Sequence, residues 1–194
     1  YLCFKFLNDS HKCELICGDK DIMHLLDKHP VSLTLPEDML IKGDYNLCQQ
    51  LKIPSGAKIV CLNIRDSAYY GANSLDNSVT SYRNTIELVN FIEAIKYLIN
   101  KGFYVIRMGR DVEKKFPLKD DMFIDYANSN FSSDFMDIFL ANKCEFFIST
   151  LTGWDSVPYY SFRKCGVFVN SVPALYMQTY RDKVFYLVKK HFLK

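Results

Sequence analysis

Short apolar runs alternate with segments of helical periodicity along most of this 194-residue chain. The first fifty-odd residues are irregular in pattern. Within them, the spacing over 36–52 predicts a short amphipathic helix, interrupted or capped at Gly43. Pro54, Ser55 and Gly56 mark a turn, and Lys58 to Ile64 is a continuous apolar run of the kind shown by parallel strands buried on both faces. From Asn84 to Asn100, polar residues at Glu87, Asn90, Glu93, Lys96 and Asn100 leave a wide apolar face, which predicts a helix. Asn84 and Glu87 have capping-box spacing, and Gly102 suits the left-handed position beyond the end. Strands are expected at Phe103–Arg107, Met122–Asp125, Glu145–Ser149 and Val167–Val169. Helices are expected at Ser133–Asn142, at Asp155–Lys164 with Gly166 as its stop, and at 182–193. Alternation of this kind implies an α/β fold: a mostly parallel sheet with helices on both faces. The expected division is a connecting segment with a short helix over 1–55 and one domain over 56–194.

Composition narrows the class without naming a ligand. With 24 Lys and Arg against 22 Asp and Glu, the formal charge is only +2, which argues against a nucleic-acid partner. An aromatic fraction of 15% excludes a disordered chain. The seven Cys are odd in number and scattered, several within apolar runs, so a reducing, cytoplasmic setting is expected. No apolar run approaches the roughly 18–20 residues of a membrane-spanning helix. The chain begins at Tyr1 rather than Met, so it is expected to be part of a longer protein.

In a parallel sheet, ligands bind beyond the carboxyl ends of the strands. The residues expected at that edge are Arg65 and Asp66, then Arg107 to Arg110, Asp125 and Tyr126, and Ser149 to Gly153. Tyr82-Arg83-Asn84, at the start of the long helix, joins them. The chain has only six Arg against 18 Lys, and four of the six (65, 83, 107 and 110) fall here. A guanidinium presents a planar fork of donors matched to phosphate, so the clustering points to an anionic ligand; rim salt bridges to Asp66, Asp111 or Asp125 are the alternative. Ser149, Thr150, Thr152 and Gly153 join a buried strand to a helix start. They offer hydroxyls, backbone N–H groups and room for close approach, which suits phosphate or ribose and equally suits an ordinary helix cap. Neither a G-x-G-x-x-G nor a Walker sequence is present, so NAD and P-loop ATP chemistry have no support.

Metal and acid–base readings are weaker. Asp19-Lys20-Asp21 is a D-x-D, but 16 Asp in the chain give about one such triplet by chance. Cys13 and Cys17 precede His24 and His29 by too short a spacer for a zinc finger, which needs roughly 12 residues there. No metal and no other cofactor is expected. All four histidines lie outside the alternating region, leaving Asp66, Asp125 and Asp155 as its candidate acid–base groups.

Several short motifs, in order, resemble a family of bacterial glycosyltransferases. They are Pro30 to Glu37, Gly43, Cys61 to Tyr70, Tyr82-Arg83-Asn84, Val105 to Gly109, Ile124 to Ala127, Ser133 to Ile138, Ser149 to Gly153 and Val169-Asn170. The resemblance implies one half of a GT-B-like architecture, in which two Rossmann-like halves face each other and the C-terminal half binds a nucleotide-sugar donor. Residues 56–194 would then be the Rossmann-like nucleotide-sugar-binding domain, with an N-terminal half missing. Arg65-Asp66 is similar to the strand end by which some fucosyltransferases hold the donor diphosphate, with Asn63 where those enzymes often carry His. The implied activity is metal-independent transfer of a sugar from a nucleoside-diphosphate donor to a cell-envelope glycan or lipid-linked oligosaccharide, as in bacterial polysaccharide biosynthesis. It would take place in the cytoplasm, or at the inner membrane face where the acceptor lies. Arg65, Arg83, Arg107, Thr150, Thr152 and Gly153 would contact the diphosphate or nucleotide, supported by Asp66, Asp125 and Ser149. The rival reading is a non-catalytic α/β module that binds a phosphosugar, nucleotide or protein partner.

Overall fold

The computed structural model describes residues 5–7, 13–15, 32–66, 68, 87–171 and 184–188. Two three-residue strands, β1 (Lys5–Leu7) and β2 (Cys13–Leu15), pair antiparallel near the start. The remaining elements are α1 (Glu37–Gln49), β3 (Lys58–Asn63), α2 (Ile92–Asn100), β4 (Phe103–Met108), β5 (Phe123–Ile124), α3 (Asp134–Lys143), β6 (Phe146–Ser149), β7 (Cys165–Ser171) and β8 (Val184–Val188).

Strands β3 to β8 form one sheet in the order β5-β4-β3-β6-β7-β8, and every pairing in it is parallel. Counted along the chain, this is the 3-2-1-4-5-6 order of doubly wound nucleotide-binding sheets. The expected α/β, Rossmann-like fold is therefore the fold of this chain. The apolar run over 58–64 becomes the central strand because both its faces are covered. Ile59 and Cys61 join Leu47 of α1 and Met136, Phe139 and Leu140 of α3 on one face. Leu62 and Ile64 join Ile95 of α2, Val105 and Phe116 on the other. Period-2 alternation thus divides the core into two halves.

Helix α1 runs unbroken through Gly43, contrary to the expected interruption. The glycine is needed for approach rather than for a turn, since a Cβ there would lie 2.0 Å from the Phe139 ring. Helix α3 follows the sequence closely. Ser133 is its N-cap, accepting from the Met136 N–H at 3.3 Å, and Lys143 in its last turn meets Asp44 of α1 at 2.7 Å. Over 88–100, a 3-10 turn (Leu88–Phe91) leads into α2, and Gly102 adopts the left-handed conformation at φ +83°. The proposed cap at Asn84 lies outside the described residues.

Three other expectations are corrected. The stretch after Asp155 is a five-residue π-helical turn (Val157–Ser161), too short for the helix drawn to Lys164. Gly166 lies inside β7 instead of ending a helix, and a Cβ there would meet the Phe147 ring at 2.6 Å. The described part of 182–193 is strand β8, not helix. Its Val-Phe-Tyr-Leu-Val run is β-branched and aromatic, and short apolar runs fit either period. Among the described residues, no helix is long and apolar enough to cross a membrane. Cys48, Cys61 and Cys144 are free thiols.

Candidate functional site

Strands β3 and β6 are neighbours, and the connections leaving their carboxyl ends run in opposite directions, to β4 and to β7, which opens a crevice between them. A cleft of about 450 Å³ occupies this point. Its walls come from Asn63 to Asp66 after β3, Gly109 to Val112 after β4, Asp137 on α3, and Thr152 to Trp154 after β6. The volume falls within the ~300–1,000 Å³ typical of small-molecule sites.

Hydrogen bonds tie the β3 and β6 loops into one frame. The Thr150 N–H donates to the Asn63 carbonyl at 3.0 Å, and the Arg65 N–H donates to Thr150 Oγ1 at 2.7 Å. Asn63 Nδ2 donates to Thr152 Oγ1 at 2.7 Å, and that hydroxyl donates to Asp155 Oδ1 at 2.9 Å. Asp155, only 5% exposed, also accepts from the Thr152 N–H at 2.6 Å. A threonine hydroxyl has one proton, so Thr152 has no O–H left for a ligand phosphate. Between the two threonines, Leu151 sits at φ +64°, a conformation that a branched side chain holds only where its surroundings impose it. At Gly153 a Cβ would meet no atom within 4 Å, so packing does not require a glycine there.

The opposite wall is built on Asp66. Its Oδ1 accepts from the Ala68 N–H at 3.0 Å and its Oδ2 from the Glu113 N–H at 2.9 Å, which joins the β3 and β4 loops. Gly109, at φ +142°, makes the turn out of β4, and a Cβ there would meet Val112 at 2.9 Å. The α3 end of the cleft is fixed by Tyr126, whose hydroxyl donates to Asp137 Oδ1 at 2.9 Å and accepts from the Ser133 N–H at 2.9 Å. Trp154 Nε1 donates to the Asp137 carbonyl at 3.2 Å. Burial pushes the Tyr126 hydroxyl up to about 12. Burial likewise raises the Asp137 carboxyl above its ordinary range, against the opposing pull of Tyr126 and Arg110. Arg110 pairs with Asp134 and stands 3.7 Å from Asp137 Oδ2.

The candidates named from sequence therefore separate. Arg65, Asp66, Thr152 and Gly153 line the cleft, and Thr150 braces it through the Arg65 N–H. Ser149 is fully buried, and its Oγ has no partner among the described residues. Arg107 is placed elsewhere. It pairs in register with Leu62, so alternation sends its side chain to the opposite sheet face from Asn63. There it is 0% exposed, donating from Nη1 to the Lys114 carbonyl at 2.8 Å and to Asp125 Oδ1 at 3.2 Å. Its Nε and Nη2 have no partner among the described residues. Asp125 also accepts from the Phe116 N–H and from Asn128 Nδ2. This pair, its arginine fully buried, shapes the loop behind the wall; neither residue lines the cleft. Arg83, Cys17, His24, His29, Asp19 and Asp21 lie outside the described residues. Among the described ones, no cluster of three or more His, Cys, Asp or Glu is placed to hold a metal ion.

Asp137 is a lining residue that sequence reasoning left out of the site, whereas Arg110 was placed at this edge but not among the residues expected to contact the ligand. Asp137 reads as an ordinary helix N-terminal acid. The usable signal was its place in the first turn of a βα unit, because such helices begin at the ligand-binding edge of the sheet.

No protein-family model matches the sequence, and no curated protein matches it either. Among solved structures, the chain is similar to E. coli ADP-heptose LPS heptosyltransferase II, with a TM-score of 0.54 and 12% identity. The similarity covers 80% of this chain and 44% of that one, so this chain spans less than half the length of that protein. At this identity the likeness is one of fold alone, that of the parallel α/β sheet described above.

Proposed function

We propose that this chain is the donor-binding part of a glycosyltransferase. It would move a sugar from a nucleoside-diphosphate donor to a cell-envelope glycan or lipid-linked oligosaccharide. The observation that carries this reading is the cleft at the topological switch point, where Arg65 and Arg110 stand in one wall system with the Gly153 backbone. The likeness in fold to a heptosyltransferase supports it. In this reading Arg65 and Arg110 stabilise the diphosphate as it leaves, and Gly153 lets the backbone approach a phosphate oxygen. Asp111 and Asp137 accept hydroxyls of the ribose or sugar. Arg107 and Asp125 hold the β4 loop and touch no ligand. The diphosphate contacts are arginine and backbone, so no metal takes part.

Calorimetry of the 194-residue chain against UDP, GDP, ADP, CMP and dTDP, with and without EDTA, tests this. One nucleotide is expected to bind saturably and to keep binding under chelation. Arg65→Lys keeps the charge and loses the fork, so affinity should fall by about 1.5–3 kcal/mol with the melting temperature little changed. Binding that vanishes with EDTA and returns with Mn²⁺ would overturn metal independence. Failure of all five nucleotides to bind would overturn the reading itself. A binding module is the second reading, favoured by the lack of a histidine among the described residues that line the cleft. Nucleotide binding without any donor hydrolysis by a longer form of the protein would support it.

A further inference from the structure

Among the described residues, the cleft is lined by the guanidiniums of Arg65 and Arg110 and the carboxylates of Asp66, Asp111 and Asp137. The Arg110 guanidinium is engaged outside the walls. Arg110 pairs with Asp134, which sits at the start of α3 and does not line the cleft, and it approaches Asp137 Oδ2 at 3.7 Å. Both members of the outer pair are well exposed, Arg110 at 55% and Asp134 at 83% of the side chain. Solvent screens such a pair, so it holds the arginine weakly and a stronger acceptor can take it. Arg107 cannot respond in this way, because its own side chain is fully buried where it meets Asp125.

We propose that Arg110 sets the cleft's preference for diphosphate by exchanging its carboxylate partners on α3 for the ligand's phosphate oxygens, so that Asp134 acts as a competitor for the ligand. This rests on the reading of the cleft as a nucleoside-diphosphate site. A diphosphate offers several oxygens in bidentate geometry to the guanidinium fork, whereas Asp134 offers an exposed carboxylate. The exchange has a second consequence. Asp137 Oδ1 remains bonded to Tyr126, while Oδ2 loses its cation and becomes an acceptor for a ligand hydroxyl. A ligand carrying both diphosphate and hydroxyl groups uses the two effects together, and inorganic pyrophosphate uses only the first.

A double-mutant cycle on Arg110 and Asp134 tests the exchange. It would be read by calorimetry with inorganic pyrophosphate and with whichever nucleoside diphosphate of the panel binds most tightly. Arg110→Ala should weaken binding about tenfold or more. Asp134→Asn should tighten it roughly two- to five-fold, the scale of an exposed ion pair released. In the Arg110→Ala background, Asp134→Asn should then change nothing. An equal tightening in that background would mean that Asp134 acts only through the general field, and the exchange would be overturned. Unchanged affinity in Arg110→Ala would overturn it as well. In both cases intact wild-type binding leaves the nucleotide site standing, whereas absence of binding in the wild type removes the site and the exchange together. Both side chains are exposed, and an unchanged melting temperature in each variant confirms that binding alone has been altered.

Discussion

Tyr126 shows how one buried hydroxyl organises an edge of the cleft. Its single oxygen serves the Ser133 N–H at the start of α3 and the Asp137 carboxylate inside the wall. Burial pushes its ionisation up from 10.0 to about 12, which makes it a pH-dependent element of stability. The folded chain keeps this proton where the unfolded chain has lost it. Between pH 10 and about 12 the unfolded state therefore binds fewer protons, and stability falls as pH rises. Tyr126→Phe should cost about 1–3 kcal/mol at neutral pH, by leaving Ser133 and Asp137 short of a partner. The same variant should lose less stability than the parent on going from pH 10 to 12. Urea titrations of both proteins across that range check it, and an identical alkaline slope would remove Tyr126 as the source. Asp137 has the same sign at lower pH. Its raised carboxyl destabilises the folded state as pH climbs from the ordinary carboxylate value through the raised one, so burial of this acid works against stability at neutral pH.

Among the elements, α1 and α3 are joined by close approach rather than by matched ridges of large side chains. Gly43 leaves room for the fully buried Phe139 ring, and Lys143 with Asp44 closes the same interface. Helix propensity alone would favour alanine at position 43 by about 1 kcal/mol. The ring at 2.0 Å from the added Cβ reverses that preference, since Phe139 is packed against β3 and α1 and has nowhere to go. Gly43→Ala should therefore destabilise the chain by about 1–3 kcal/mol net, read as a lower urea midpoint. Adding Phe139→Leu should recover part of the loss. A stabilised single variant would show that propensity prevails and that the helices can part. Because α3 also carries Asp134 and Asp137, this interface sets where one wall of the cleft stands.

At the scale of the whole molecule, the sheet divides the protein into a protected centre and weaker edges. Strands β3, β4 and β6 pair on both sides, and their middle residues are buried. Among the described residues, strand β8 pairs only with β7, and Phe185 and Leu187 are 60% and 62% exposed. Hydrogen exchange should place the amides of Val60, Cys61, Leu62, Val105 and Ile106 at the limit set by global unfolding. Those of Val184–Val188 should exchange much faster, through local opening of the edge. Equal protection across both groups would mean that β8 is covered by something beyond its pairing with β7. The cleft lies at the protected centre, which suits a site whose geometry must hold while a charged ligand enters.

Local patterning is enough to specify the α/β class, the central strands and the loops that reach the carboxyl edge of the sheet. Those features rest on local periodicity: apolar runs at 58–64 and 103–108, a capped helix at Ser133, a glycine at 102. Part of the site was legible for the same reason, since residues just past a parallel strand must emerge at its carboxyl end, as Arg65, Asp66 and Thr152 do. Which arginines share the cleft depends instead on strand register and helix packing. Arg65 and Arg107 both follow or end apolar strands, yet the β3–β4 register pairs Arg107 with Leu62 and turns it to the opposite face from Asn63. A one-residue shift of that register would reverse the outcome, and nothing local to either strand encodes it. Distance along the chain likewise hid the approach of Arg110 to Asp137, 27 positions away until α3 is laid against the sheet. Whether 184–188 is helix or strand was also settled by its neighbour, because a short apolar run takes its period from whatever it packs against.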